Sequence, residues 1–248
     1  MERGNLDTLY MKALQLHKAT SSIQLQAERL KGAKRYKETT LRETLAFLED
    51  FKTFSETNTF SEIELSKMLG NNCLEVGSFL FSAGAPCKDW MEWCSLAGSF
   101  FYLGQDLSYA MQLLAISRMI PSDNEMSSVL GGANLKSYRE QAIQYIIFRP
   151  TNSQPPSLFP AHPLDDYYQA MIQSLESSDE AGITHAINQI VEFWLNETSY
   201  GKFEPGVFPA FEPEINSTVS AFVMQGINLD IRSTKVRNFL RAALEPGS

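Results

Sequence analysis

Histidine and cysteine are scarce: three of each occur among 248 residues, and none stands at catalytic or metal-binding spacing. His17, His162 and His185 lie far apart, and Cys87 and Cys94 stand seven positions apart with no Cys-x-x-Cys anywhere, which excludes the usual zinc pattern. The Gly-x-Ser-x-Gly elbow of the hydrolases is missing. Leu130-Gly-Gly-Ala-Asn134 carries two glycines but no following Gly-Lys-Ser/Thr, so it is no phosphate loop. No metal and no cofactor is therefore expected. No run of about 18 uncharged apolar residues occurs, so no membrane-spanning helix is expected. The N-terminal stretch lacks the continuous apolar core of a secretory signal, which points to the cytoplasm. Three cysteines, an odd number, fit a reducing compartment. The glycosylation pattern at Asn196 and Asn216 carries no meaning without secretion.

Positive charge is also in short supply, and unevenly so. The formal net charge is −8. Residues 1–42 hold nine Lys/Arg against four Asp/Glu, residues 43–231 hold eight against 24, and residues 232–248 hold four against Glu245 alone. An acidic body argues against nucleic acid, whose phosphates repel carboxylates. It suits a basic partner, whose approach it would speed by steering. The plainer role of such charge is to keep the protein in solution.

What the chain does have is helical period. Leu6, Leu9, Ala13, Leu14, Ala19, Ile23, Ala27 and Leu30 follow it without a proline, and Gly32 is a plausible stop. Thr40-Leu-Arg-Glu43 reads as a capping box that opens a second helix. A third begins at Thr59 or Ser61, and Gly70-Asn-Asn72 suggests a break within it. Trp90, Trp93, Cys94, Ala97, Phe100 and Phe101 line the next, joined through Gly104-Gln-Asp106 to a helix that stops before Pro121. The spacing predicts further helices over 122–131, 135–148, 165–175, 179–195 and 213–225, and a short one at the C-terminus. The fold class is therefore all-α: roughly ten helices in antiparallel hairpins, forming an irregular bundle or a tetratricopeptide-like stack. No 34-residue repeat with the tetratricopeptide signature occurs. Residues 1–248 read as a single helical domain. Residues 149–163, with five prolines in fifteen positions, mark the best place for a subdivision.

Trp90, Trp93, Trp194 and Cys94 belong to the core on this pattern. Asp165 and Asp166 stand in a helix's first turn, where the positive end of the dipole favours carboxylates by about 0.3–1 kcal/mol each. A partner-binding role for them is the sharper alternative. The same choice applies to Glu212 and Glu214 around Pro213.

Three stretches carry a family likeness. They are Trp93-Cys-Ser-Leu-Ala-Gly-Ser-Phe-Phe with Ser108 to Arg118, Asp165 to Leu175 leading into the Ala186 helix, and Glu214 to Asp230 with its glycine and short extended link. In their order the chain resembles a bacterial polymorphic-toxin immunity family, the immunity protein 49 type, over about residues 85–245. The resemblance implies a protein that neutralises a cognate toxin and has no catalysis of its own.

A rigid helical scaffold and a contact patch of about 800 Å² would serve an inhibitor of that kind. An acidic surface would occlude a basic target such as a nuclease. The candidate patch comprises Asp165, Asp166, Glu204, Phe208, Phe211, Glu212 and Glu214. The alternatives are a helical-repeat adaptor or regulator with a peptide groove, and an all-helical enzyme with dispersed residues. On the immunity expectation, reversing all five acids slows toxin association and flattens its salt dependence. Unchanged kinetics would remove the patch.

Overall fold

The computed structural model describes residues 3–23, 35–119, 125–149, 154–196 and 211–244. Among them are eleven α-helices and no strand. The all-α expectation holds, including the Tyr145–Phe148 end, whose strand-like composition lies within a helix.

The chain divides into two compact units, Met1–Ser117 and Arg118–Pro246. The division thus falls near the end of a helical hairpin and not in the proline-rich stretch 149–163. Residues 157–162 of that stretch are held within the second unit by side-chain hydrogen bonds.

Unit 1 contains α1 (Arg3–Ile23), α2 (Arg35–Thr57), α3 (Glu62–Ser82), α4 (Cys87–Leu103) and α5 (Leu107–Ile116). Helix α2 begins at Arg35 and runs through Thr40, so the helix does not start at Thr40. A working box appears instead at Ser61, which accepts the Glu64 N–H while Glu64 accepts the Ser61 N–H. Helix α4 is the centre. Trp90, Trp93, Cys94, Ala97, Phe100 and Phe101 are all buried, and α1, α3 and α5 pack against it.

The expected break at Gly70 is absent; α3 continues to Ser82. Gly70 is small because the Phe101 ring leaves a Cβ only 3.1 Å. On the other side of α4, a Cβ at Gly98 would stand 2.8 Å from Leu114 Cγ and 3.2 Å from the Ala110 carbonyl. These glycines set how closely the helices approach. Burial of the cysteines raises the Cys73 and Cys94 thiols well above their ordinary range, which keeps them protonated and inert.

Unit 2 contains α6 (Glu125–Gly131), α7 (Tyr138–Phe148), α8 (Pro163–Glu176), α9 (Glu180–Asn196), α10 (Pro213–Met224) and α11 (Thr234–Leu244). Its axis is α10, buried on every side from Glu214 to Phe222 and packed on α7 and α11. Such a helix must satisfy its own polar groups. Ser217 and Thr218 do so by donating to the Glu214 carbonyl at 3.0 and 2.9 Å. The helix ends as its sequence suggests: Gly226 has φ +75, and the Ile227 N–H reaches back to the Phe222 carbonyl at 3.0 Å. Helices α8 and α9 form an antiparallel hairpin turned by Ser177 and Ser178.

Substituting Gly98→Val forces a branched side chain between α4 and α5. The expected cost is about 1–3 kcal/mol, seen as a lower Tm by circular dichroism. An unchanged Tm would mean that the helices are not held this closely.

Candidate protein-interaction surface

The residues singled out in the sequence have different fates. Asp165, Phe211, Glu212 and Glu214 are buried inside unit 2 and present no side chain to a partner. Asp166 is exposed. Glu204 and Phe208 lie outside the described residues. The expected patch is therefore not a surface: most of its described members hold the unit together.

Glu214 shows how. It stands in the first turn of α10 and accepts the Tyr168 hydroxyl from α8 at 2.8 Å. The Arg139 Nε of α7 lies 3.5 Å from the same oxygen. Three helices thus meet on one carboxylate. A buried charge persists only when paired and hydrogen-bonded in this way.

Asp165 has a different task. Its carboxylate accepts the N–H groups of Ala161 and His162, both at 3.0 Å. His162 Nδ1 accepts the Leu164 N–H at 3.1 Å, which caps α8 just before Pro163. The His162 ring also meets Phe193 of α9 edge-on, with centroids 5.9 Å apart. The favourable first-turn role weighed for Asp165 is thus realised as a capping box.

The other end of the same loop is held as firmly. Gln141 Oε1, on α7, accepts the Ser157 N–H at 2.9 Å and the Leu158 N–H at 3.3 Å. Gln141 Nε2 donates to the Leu135 carbonyl at 2.9 Å, which fixes the amide's direction. Between these two clamps the chain reads Leu158-Phe159-Pro160. Phe159 is 90% exposed. A sequence reading registers this loop only as proline-rich. That a side chain projects from it depends on Gln141, which lies 16 positions from Ser157.

The hairpin that follows carries charge of one sign. Residues 150–201 contain no Lys or Arg. Asp166, Glu176, Asp179, Glu180 and Glu192 on this hairpin are all exposed. The signal was present in the sequence, but balances taken over long blocks averaged it away.

Unit 1 offers a second surface. A groove of about 380 Å³ has Leu6, Tyr10, Met11, Phe51 and Phe60 along it and Lys52 and Glu62 among its polar residues. Met11 and Phe60 are exposed there. Phe60 stacks on Phe54 at 5.6 Å.

Among the described residues no group of three or more metal-binding side chains converges, and no helix is long and apolar enough to cross a membrane. No protein-family model, curated protein or solved structure matches the chain.

Burial and then the Glu214 charge push Tyr168 well above its ordinary value of 10.0. The unfolded chain releases that proton near pH 10, whereas the folded chain keeps it. The fold therefore binds more protons across this window, and stability falls as pH rises through it. Tyr168→Phe is expected to cost about 1–3 kcal/mol at neutral pH and to remove its share of the alkaline slope. Urea unfolding at neutral and alkaline pH checks both. Identical slopes in the two proteins would contradict the assignment.

Proposed function

We propose that this chain is an immunity protein: it binds a cognate bacterial toxin and neutralises it by covering a basic surface, with no catalysis of its own. One observation supports this most: the α8–α9 hairpin exposes five carboxylates in a stretch without a single Lys or Arg. Such a field attracts a basic protein and repels nucleic acid. The resemblance of residues 85–245 to the immunity protein 49 type, which no family model matches, would imply the same role.

Neutralisation needs binding that is fast as well as tight, because a toxin acts catalytically on the cell that holds it. Steering by charge complementarity raises association rates toward 10⁸–10⁹ M⁻¹s⁻¹ at low salt, an order-of-magnitude range. The exposed acids supply that field. The buried acids Asp165 and Glu214 keep the surface in shape.

A second proposal, a peptide-binding adaptor, draws support from the groove beside Met11 and Phe60 in unit 1. An amphipathic helix or extended segment would enter such a groove by its apolar side chains.

Two outcomes are expected of the immunity protein. Co-expression with the toxin encoded beside its gene restores growth, and the two purify as a complex. The triple substitution Asp166→Lys, Glu180→Lys and Glu192→Lys slows association with the purified toxin domain about tenfold or more at low salt, with the fold intact by circular dichroism. A toxin that still arrests growth, or an unchanged association rate and salt dependence, would reject the proposal.

A further inference from the structure

We propose that Phe159 is the anchor of this surface, a preorganised aromatic knob that enters an apolar socket on a basic protein partner. The proposal rests on the neutralising role above and names the contact that would hold the complex once charge has brought it together.

Exposed apolar residues scattered singly over a surface are ordinary. Phe159 differs in how its backbone is held. Gln141 takes the N–H groups of Ser157 and Leu158 on one side, and Asp165 takes those of Ala161 and His162 on the other. Pro160 fixes a further φ between them. Ordering a loop of this length costs about 1–2 kcal/mol of backbone entropy per residue. The Phe159 ring returns none of that to the fold, because it is 90% exposed.

Leu158 beside it is also exposed, at 39%, so the tip is apolar over two residues. Aromatic anchors held in the bound geometry before contact lose little freedom on binding, and they dominate interface energies. The two clamps provide such an arrangement.

The surroundings select the partner. A base-stacking role would need cations for the nucleic-acid backbone, and residues 150–201 hold none. Along the chain, the nearest exposed charge is that of Asp166, one turn into α8, followed by the acids of the α8–α9 hairpin; on the α7 side, Lys136 is exposed next to Leu135, whose carbonyl Gln141 holds. An apolar socket bordered by Lys or Arg satisfies both the ring and its setting. That is the chemistry of a protein surface, not of an anionic membrane, which the same acids would repel.

The division of labour between charge and ring gives a kinetic test. The probe is the purified toxin domain encoded next to this chain's gene, with binding followed by surface plasmon resonance at two salt concentrations. Phe159→Ala is expected to weaken affinity by about 30-fold or more, almost wholly through faster dissociation. Its association rate and salt dependence stay those of the native protein. Phe159→Leu keeps most of the affinity. Gln141→Leu, which leaves the ring in place but frees one clamp, falls between, with faster hydrogen exchange at Leu158. A native chain that fails to bind the toxin overturns the neutralising role and the anchor together. A native chain that binds, with Phe159→Ala indistinguishable from it, overturns the anchor alone. Phe159-dependent sedimentation with zwitterionic phosphatidylcholine vesicles would overturn it too, by assigning the ring to a membrane.

Discussion

The carboxylate of Asp165 is the contact on which the proposed surface depends. It accepts two backbone N–H groups from the loop in front of α8 and lies in the first turn of that helix. It therefore starts the helix and ends the loop with a single group. Hydrogen bonds to a charged acceptor are worth about 1.5–3 kcal/mol each, enough to hold a short segment in one conformation. Gln141 holds the far end. What lies between is presented to solvent in a fixed shape, and the hairpin that follows carries exposed acids and no Lys or Arg of its own.

Carboxylates thus do two kinds of work in unit 2. Those inside join helices: Glu214 gathers Tyr168 of α8 and Arg139 of α7 around the buried helix α10. Those outside, from Asp166 to Glu192, face solvent with no Lys or Arg between residues 150 and 201, although Glu176 also accepts the Tyr145 hydroxyl of α7 at 3.3 Å and Asp179 the Gly182 N–H at 3.0 Å. A substitution of Glu214 would be felt as stability, and one of Glu192 as an association rate. Composition cannot sort them, since the residue types are the same.

Much of the fold was legible in the sequence because apolar period determines which face of a helix is buried. The helix hairpins, the glycine stop at Gly226 and the core places of Trp90, Trp93, Trp194 and Cys94 all follow from local pattern. Gly70 misled because a glycine within a helix signals either a break or a close neighbour. Only the position of the Phe101 ring decides between them. The capping box misplaced to Thr40 has a similar cause: the motif is short, and α2 runs straight through it. The candidate site was the least legible part. Asp165 and Glu214 look alike in sequence to an exposed acid; Glu214 is held by Tyr168 and Arg139, dozens of positions away. Phe159 was hidden inside a stretch whose prolines announced only that it was not helix.

On the proposed reading, this scaffold displays a face to another protein. Hydrogen–deuterium exchange of the chain, alone and with the proposed toxin partner, tests that reading most directly. The account predicts new protection at residues 157–166 and along α8 and α9, with the groove of unit 1 unaffected. Protection confined to the groove beside Met11 and Phe60, with residues 157–166 exchanging as in the free protein, would contradict it.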